Sequence, residues 1–424
     1  MLNVYLTKRA PRCVLLAGAS VLAFAMASPA SAQLVYSSVS PGAVALSATG
    51  ASTAAVATGP DSIAIGTATN AVSTNTVAIG TSATAQGVSA TAVGNGANAQ
   101  NNSSSAFGYN ANALAASSVA IGSATVAAIG LSGVAIGSGA TVNSATNAVV
   151  QNAVAIGVNA TASGLAGATA LGSGANASGL VNATALGSSS TASGLDATAV
   201  GAGANAVGTG TFATGLGSTA NGTNSTVMGN SATTTVAATN GLAFGTTASV
   251  SAANGVALGT GASVSGAGGL AFGTNASVTT TNGVAIGPGA SVSGANSVAL
   301  GSGSSDLGRS NTVSVGSAGN NRTISNLAPG VLGSDAVNVN QLKSAEHLLK
   351  QGIATSMAMS SMITPSAPGK TTIGFNGATY AGYYSAAINF AHRVNTDIPL
   401  YVTGAVGAGG AGSVGGRVGM AVEF

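Results

Sequence analysis

The chain has 424 residues, enough for two to four domains, but only 4% of them are charged while 46% are hydrophobic. Disordered chains are usually rich in charge and poor in aliphatic residues, so this composition favours regular burial over disorder. The formal net charge of +3 is accounted for by Lys8, Arg9 and Arg12, so the remaining sequence gives no reason to expect nucleic acid as a partner.

The amino-terminal segment, residues 1–32, has the pattern of a Sec signal peptide. Its three basic residues precede the apolar run VLLAGASVLAFAMA, and the small-residue sequence SPASA follows. An apolar run of about fourteen residues is too short to span a bilayer as a helix, so we expect cleavage after Ala32. Cys13, the single cysteine, would leave with this segment, and the exported protein would then contain no disulfide, thiol nucleophile or cysteine metal site.

Residues 33–320 form one repetitive array. A phrase of the type valine-alanine-isoleucine-glycine recurs, and its glycines lie at or close to fourteen-residue spacing, at positions 66, 80, 94, 108, 122, 137, 157, 172, 187, 201, 245, 259, 273, 287 and 301. The spacing is irregular in segments 137–157 and 209–231. We interpret these two segments as insertions that break the repeat, and as candidate ligand contacts because loops commonly carry specificity.

Each repeat is predicted to contain two short strands with glycine at the corners. In NGVAIG (282–287), Val284 and Ile286 share one strand face and Ala285 takes the other. One coil cannot bury its aliphatic residues alone, so the coils must stack as a solenoid. We expect a thin core with Val or Ile on one wall and Ala on the other. The alternative, a silk-like linker, does not explain why the aliphatic residues keep register with glycine.

The composition changes near Asp306, where charged residues return. The segment 320–352 contains the first convincing helix, with Asp335 as a plausible cap. Apolar and small residues then approximate a heptad over 342–359, which predicts a short coiled coil that Gly352 and Ser356 weaken.

The carboxyl-terminal segment reads as four longer strands. In the second of these, Tyr384, Ala386, Ile388 and Phe390 oppose Ser385, Asn389 and Arg393. Alternation of apolar and polar faces is typical of outer-membrane β-barrels. Because four strands cannot close a barrel and open sheet edges are not tolerated in lipid, we expect three copies of the chain to contribute about twelve strands.

The order of these parts resembles the YadA-like family of trimeric autotransporter adhesins. SSVAIG (117–122), NAVAIG (152–157), NGVAIG (282–287) and NSVALG (296–301) resemble the family's head repeat, SDAVNVNQL (334–342) resembles its neck, and 356–424 is similar to its membrane anchor. The resemblance implies an all-β trimer with a short coiled coil. Its parts would be a left-handed parallel β-roll head (33–320), a neck (321–343), a short coiled coil or pore helix (344–364), and an anchor (365–424) that forms a 12-stranded outer-membrane β-barrel from three chains.

The resemblance also implies which residues act. The candidate adhesive head repeats are Val119, Ala120, Ile121 and Gly122, Val154, Ala155, Ile156 and Gly157, and Val284, Ala285, Ile286 and Gly287. The neck would trimerise through Asp335, Val337, Asn338, Val339, Gln341 and Leu342. Ala358, Ser360 and Ser361 would line the pore helix, and Phe424 would be the signal for the barrel-assembly machinery. The implied partners are two further copies in a homotrimer, the outer membrane, and matrix proteins such as collagen or fibronectin.

Catalytic, cofactor and metal sites are not expected. The two histidines, His347 and His392, lie in a predicted helix and a predicted strand without a plausible triad, and the carboxylates of the array are scattered singly. GAGGAG (407–412) has the spacing of a dinucleotide-binding loop, but a strand rather than a helix follows it, so we interpret it as a hairpin turn.

The sequence therefore predicts a non-enzymatic adhesin on the surface of a Gram-negative bacterium, with a head that mediates attachment and aggregation and an anchor that mediates translocation of the head. A passive surface coat without a specific ligand is the first alternative. An ice-binding solenoid is the second, and it is disfavoured because the threonines do not form a sustained Thr-x-Thr column.

Overall fold

A computed structural model describes residues 35–36, 40–47, 53–123, 127–143, 151–179 and 181–424. The predicted signal peptide lies outside the described residues. The chain divides into two compact units, Met1–Arg322 and Thr323–Phe424, and each is considered by itself.

The first unit is a parallel β-solenoid in which two sheets face each other. The strands are numbered β1 to β41 along the chain, and β1 pairs antiparallel with β2 while the others in the first sheet run parallel. The first sheet has twenty strands: β1 (Val35–Tyr36), β2 (Val44–Ser47), β4 (Ile63–Ile65), β6 (Val77–Ile79), β8 (Thr91–Val93), β10 (Ser105–Phe107), β12 (Val119–Ile121), β14 (Val134–Ile136), β16 (Val154–Ile156), β18 (Thr169–Leu171), β20 (Thr184–Leu186), β22 (Thr198–Val200), β24 (Phe212–Thr214), β26 (Thr226–Met228), β28 (Leu242–Phe244), β30 (Val256–Leu258), β32 (Leu270–Phe272), β34 (Val284–Ile286), β36 (Val298–Leu300) and β37 (Val313–Ser314).

The second sheet contains the shorter strands that alternate with these along the chain. They are β3 (Val56–Ala57), β5 (Asn70–Ala71), β7 (Thr84–Ala85), β9 (Asn98–Ala99), β11 (Asn112–Ala113), β13 (Ala127–Ala128), β15 (Thr141–Val142), β17 (Thr161–Ala162), β19 (Asn176–Ala177), β21 (Thr191–Ala192), β23 (Asn205–Ala206), β25 (Thr219–Ala220), β27 (Thr233–Thr234), β29 (Ser249–Val250), β31 (Ser263–Val264), β33 (Ser277–Val278) and β35 (Ser291–Val292). Each coil thus contributes one strand to each sheet, and equivalent residues pair from coil to coil, as Ala271, Ala285 and Ala299 do.

The core of the solenoid is made almost entirely of alanine. The middle residue of each phrase points inward, so Ala285 is 0% exposed while Ile286 is 41% exposed. Valine enters the core mainly at the second position of later second-sheet strands, as at Val278 and Val292. The expectation that Val284 and Ile286 line a core wall is therefore wrong, although Val of the second sheet does face Ala of the first in the later coils. In a three-residue strand the first and third side chains share a face, and here that face is the outer one.

Glycine corners allow the coils to stack closely. Gly287 has a φ of 126°, a left-handed conformation that side chains disfavour, and a Cβ there would lie 2.5 Å from the carbonyl carbon of Gly301. The opposite turn is held partly by asparagine, because Asn282 Nδ2 donates to Asn296 Oδ1 over 3.1 Å one coil later.

One predicted irregularity is absent from the structure. Residues 209–231 form regular coils, since β24 pairs in register with both β22 and β26. The pattern was hidden because Phe212 and Thr214 exchange the usual order of polar and apolar residues. In the other irregular segment, β14 still pairs directly with β16, so the extra residues of 137–157 interrupt neither sheet; residues 144–150 lie outside the described part of the chain.

The second unit contains one α-helix and an antiparallel sheet. The helix α1 (Val339–Met359) begins after the N-cap Asn338, which exchanges hydrogen bonds with Gln341 in a capping box. The prediction that Asp335 caps this helix is wrong, because its carboxylate accepts instead from the backbone N–H groups of Val331 and Leu332.

The sheet has four strands in chain order. They are β38 (Thr371–Tyr380), β39 (Tyr383–Arg393), β40 (Leu400–Gly409) and β41 (Val414–Val422), with a 3-10 turn (Gly410–Gly412) between the last two. This arrangement confirms an all-β fold with a short helix: a parallel β-solenoid, one α-helix, and a carboxyl-terminal antiparallel sheet. In the part of the chain that the structure describes, no helix combines the length and the apolar character needed to cross a membrane.

Candidate functional site

The outer face of the first sheet carries a nearly unbroken apolar column along the solenoid, beside a second outward column that mixes apolar residues with Thr and Ser, as at Thr169 and Thr184. Every three-residue strand of this sheet ends in a large apolar residue except β24, which ends in Thr214. These side chains are all at least partly accessible, and Phe107, Ile121, Leu258, Ile286 and Leu300 are 39 to 44% exposed. Contiguous apolar surface on this scale is rare on a soluble monomer and marks an interaction surface. We call this surface the aliphatic face.

The predicted adhesive phrases contribute to this face with only half of their residues. Val284 and Ile286 lie on it, whereas Ala285 is in the core and Gly287 forms a corner. The phrases at 119–122 and 154–157 have the same arrangement: Ala120 and Ala155 are 0% exposed, and Gly122 and Gly157 have φ values of 146° and 135°. Val119, Ile121, Val154 and Ile156 are the outward members.

The outer face of the second sheet is polar. The first residue of every strand in this sheet is Asn, Thr or Ser, except Val56 in β3 and Ala127 in β13. From β15 onward these residues pair in an unbroken column, as at Thr141↔Thr161 and Ser277↔Ser291. The residue two positions later adds a second outward column that is polar in the later coils, where Thr279 and Ser293 are exposed, and includes the exposed apolar residues Val72, Ile129 and Val207 earlier in the chain. We call this surface the polar face. The sequence analysis missed it, although Asn, Thr or Ser before a buried small residue recurs at coil spacing.

Both faces carry very little charge. Segment 33–322 contains five charged residues, Asp61, Asp196, Asp306, Arg309 and Arg322, and three of them lie in the last coil. Contact with a partner through either face must therefore rely on apolar burial and neutral hydrogen bonds. Among the described residues, no group of three or more His, Cys, Asp or Glu side chains is placed to hold a metal ion.

The predicted neck residues separate into two sets. Asn338, Gln341 and Asp335 organise the loop before α1: Asn338 Nδ2 donates to Leu327 O over 3.1 Å, and the amide of Gln341 both accepts from Gly330 N over 2.9 Å and donates to Gly330 O over 2.8 Å. Backbone N–H donation to its carboxylate lowers the pKa of Asp335 below the ordinary 3.8. The apolar members point outward, with Val337, Val339 and Leu342 63 to 66% exposed.

The helix uses a second stripe of small and polar residues to pack on the sheet of its own unit. Its buried residues are Gln351, Ala354, Thr355, Ala358 and Met359, and they meet the inner face of β39, where Ser385, Ala387, Asn389 and Ala391 are buried. Ser385 Oγ lies 2.9 Å from Thr355 Oγ1, and Asn389 Nδ2 donates to Ala358 O over 3.4 Å. The heptad residues Leu342 and Leu349, which are 63% and 68% exposed, lie on the other side of the helix.

The three predicted pore-helix residues are placed differently. Ala358 is 1% exposed and faces the sheet. Ser360 is the C-cap, and its backbone N–H donates to Met357 O. Ser361 follows the helix end. The helix is displaced by five residues from the predicted segment 344–364, because α1 begins at Val339 and ends at Met359.

The outer face of the four-stranded sheet is apolar, as the alternation predicts. Tyr384, Ile388 and Phe390 are 77%, 51% and 42% exposed.

Phe424 lies beyond β41 and is fully exposed, while the backbone N–H of Glu423 donates to Pro399 O over 3.0 Å. Gly407 and Gly409 lie at the end of β40, and Gly410–Gly412 connects it to the antiparallel β41, which confirms the hairpin. His347 contacts the ring of Tyr383 edge-on at 4.8 Å, and His392 Nδ1 lies 2.9 Å from Thr371 Oγ1.

Comparisons with known proteins assign both units to one family. A model of the YadA head domain repeat matches twelve segments, some of which overlap: 53–69, 57–83, 71–97, 85–108, 99–125, 151–175, 181–204, 206–232, 220–246, 237–262, 265–290 and 281–304. A model of the coiled stalk of trimeric autotransporter adhesin matches residues 323–356.

The chain is also similar to solved structures. One of these is the collagen-binding domain of the Yersinia adhesin YadA, with 35% identity over 38% of this chain and 84% of that chain, and a TM-score of 0.30. No curated protein matches the chain. Because the head-repeat matches alone extend over half of the sequence, the chain belongs to the YadA-like family of trimeric autotransporter adhesins.

Proposed function

We propose that the chain is a non-enzymatic surface adhesin that works as a homotrimer. Its head (33–320) would attach the cell to matrix or other surfaces and to neighbouring cells. Its anchor (365–424) would hold the head in the outer membrane and mediate its translocation. Family membership supports the adhesin class and the surface of a Gram-negative bacterium. Cleavage of the signal peptide at Ala32 and recognition of Phe424 by the barrel-assembly machinery are further parts of the proposal.

The observation that carries the proposal is the difference between the two faces of the solenoid. The aliphatic face would be unfavourable in water, because burial of apolar surface stabilises by about 25 cal/mol per Å². Three copies that turn this face toward a common axis would remove it from water. The polar face would then point outward on all three copies and meet the surroundings.

The second unit supports the same symmetry. Its helix buries one stripe against the sheet and leaves Leu342 and Leu349 exposed, so a second stripe is free to contact the helices of two other copies. The sheet is apolar outside and polar inside, and its two edge strands, β38 and β41, lack a partner on one side within the chain. Joining these edges between three copies would give the proposed 12-stranded barrel.

The ligand would be contacted through many weak interactions along the polar face. This face repeats the same neutral hydroxyl and amide groups in each coil and in each copy, so avidity can raise a modest affinity by orders of magnitude. Collagen is a candidate because the similar Yersinia domain binds it; fibronectin and abiotic surfaces are others. The separate phrases 119–122, 154–157 and 284–287 would then act mainly in assembly.

The two alternatives make different predictions. A passive coat would show no saturable ligand. An ice-binding head would cause thermal hysteresis, but only Thr233 and Thr235 place threonine at both outward positions of one coil in the described part of the polar face. Of the adhesin, the passive coat and the ice-binding head, family membership supports the adhesin.

The test compares cells that display the full chain with cells that display a deletion of residues 33–320 retaining the signal, neck and anchor. Autoaggregation and attachment to collagen, fibronectin and plastic are scored at equal surface levels. We expect aggregation or attachment only with the full chain, and the surface that responds identifies the ligand class. Identical behaviour of both strains on every surface would contradict adhesion and favour the coat.

A further inference from the structure

The last coil of the solenoid differs chemically from all the others. Residues 305–322 contain Asp306, Arg309 and Arg322, in an array that is otherwise almost free of charge. We propose that Asp306 and Arg322 form an end cap, in which side chains of this last, incomplete coil replace backbone hydrogen-bonding groups that a regular coil would supply and keep the solenoid from opening from its carboxyl-terminal end. This inference goes beyond adhesion, because it concerns how the head stays folded.

Asp306 takes over the role of a backbone carbonyl. In the preceding coil, the N–H of Thr279 donates to the carbonyl of Val292 in the next coil over 3.0 Å. One coil further along, the N–H of Ser293 donates instead to the carboxylate of Asp306 in the last coil, at 3.1 Å and 3.2 Å from its two oxygens, and Gly294 N–H donates to Oδ2 over 2.7 Å.

The Asp306 carboxylate lies at the end of a column of buried apolar side chains that includes Val278 and Val292. Asp306 follows Val292 by one coil and is 0% exposed, although a buried charge is costly unless hydrogen bonds compensate it. Burial by itself raises the pKa of Asp306. Donation from the N–H groups of Gly294, Ser293 and Gly308 outweighs this effect, so the net pKa lies below the ordinary 3.8. The side chain is therefore held in its charged, accepting form.

Arg322 supplies donors at the other side of the same open end. In the preceding coil, the carbonyl of Pro288 accepts from Gly303 N–H of the next coil over 2.8 Å. The equivalent carbonyl one coil further along belongs to Ser302, and it accepts from the Nη2 group of Arg322 in the last coil. The Nη1 group donates to Ser304 Oγ over 2.7 Å.

The glycine column shows the same replacement. A Cβ on Gly273 or Gly287 would point at the carbonyl carbon of the following glycine, at 2.6 Å and 2.5 Å. A Cβ on Gly301 would instead point at the guanidinium carbon of Arg322, at 3.1 Å. The guanidinium group therefore lies where the backbone of another coil would otherwise be.

The cap matters because solenoid stability is a sum of nearest-neighbour terms. An end coil has one neighbour instead of two, so opening begins at the ends, and unpaired backbone groups there add to its instability. The chain continues from Arg322 into the second unit. In the proposed adhesin, tension between a bound surface and the membrane would therefore enter the head at this coil.

The experiment measures amide hydrogen exchange of the full chain in outer-membrane vesicles, peptide by peptide. The variants are Asp306→Ala and Arg322→Gln, and Asp196→Asn in the middle of the array is the matched control. We expect exchange in 277–304 to accelerate at least roughly tenfold in both cap variants, the factor that corresponds to about 1.4 kcal/mol. Exchange in 63–136 should stay as in the parent chain, and Asp196→Asn should change neither region.

Two results would overturn the end cap: exchange in 277–304 that is unaffected by either substitution, or acceleration of equal size in every coil. Arg322→Gln is the milder change and decides the question if Asp306→Ala prevents surface display. The readout is independent of any ligand, so the adhesion proposal can fail in the deletion experiment while the end cap is supported, and the reverse.

Discussion

Ser385 on β39 and Thr355 on α1 meet through their hydroxyl groups at 2.9 Å, in a contact that is almost completely buried. Thr355 donates its own proton to Gln351 O over 2.9 Å, so its oxygen is free to accept from Ser385. Ser385 also lies 2.8 Å from Ala408 O, which gives its single proton a second acceptor. The helix of the second unit is thus positioned on the sheet by polar contacts as well as by alanine packing.

Replacing Ser385 by Ala should destabilise the anchor. Loss of a buried hydroxyl hydrogen bond costs about 1–2 kcal/mol, so we expect a lower temperature for dissociation of the detergent-solubilised trimer on gels. Ser366→Ala, at an exposed position before the sheet, is the control and should leave this temperature unchanged. An unchanged temperature for Ser385→Ala would contradict a stabilising role for the contact with Thr355.

Enlarging the alanine core should be costly. Ala285 is 0% exposed between two closely spaced sheets, and overpacking a core typically costs about 1–3 kcal/mol. Ala285→Leu should therefore shift denaturant unfolding of the head to lower concentration. Val284→Leu, on the aliphatic face of the same strand, should shift it far less. Equal shifts for the two variants would mean that the two side chains have similar surroundings.

Cysteine cross-linking can identify the face on which the copies pack. Because Cys13 is the single cysteine and lies in the predicted signal peptide, introduced cysteines report without interference. We expect Ile286→Cys to give covalent dimers on mild oxidation of intact cells and Thr279→Cys to give none. The opposite pattern would place the polar face, rather than the aliphatic face, between copies.

Acid should weaken the last coil through Asp306. Its pKa is lowered in the folded chain, so its contribution to stability is fully present above the ordinary value of 3.8 and is lost as the pH falls below that value toward the folded pKa. Asp306→Asn should lower the denaturant midpoint of the head at pH 7, and the difference from the parent chain should shrink at low pH. A difference that is the same at pH 7 and at low pH would argue against a charged cap.

The fold class was predictable because it depends on local patterns. The glycine spacing predicted the length of a coil, and the alternation around Ile388 and Phe390 predicted the two faces of the anchor sheet. The direction of the Val284 and Ile286 side chains was not predictable in the same way. Period-2 alternation separates two faces without indicating which is inner, and only the distance between the sheets decides that alanine is the residue that fits inside.

The sequence also concealed features that depend on contacts between distant residues. Phe212 and Thr214 looked irregular because the order of residue types changed while the backbone register did not. Asp335 matched the composition of a helix cap, but Asn338 stands three residues before Gln341 and completes the capping box. In the sequence, Asp306 and Arg322 are only two isolated charged residues. Their hydrogen-bond partners lie in the preceding coil and are identified only by the structure.

The stacking of equivalent residues makes a whole coil the natural unit of variation in this protein. Removing or duplicating a fourteen-residue repeat, such as the one that separates Gly273 from Gly287, leaves every remaining alanine, glycine and asparagine opposite an equivalent partner. The head would shorten or lengthen by one strand spacing, about 4.8 Å. The length of the head can therefore change in small steps, one coil at a time, without a new folding problem.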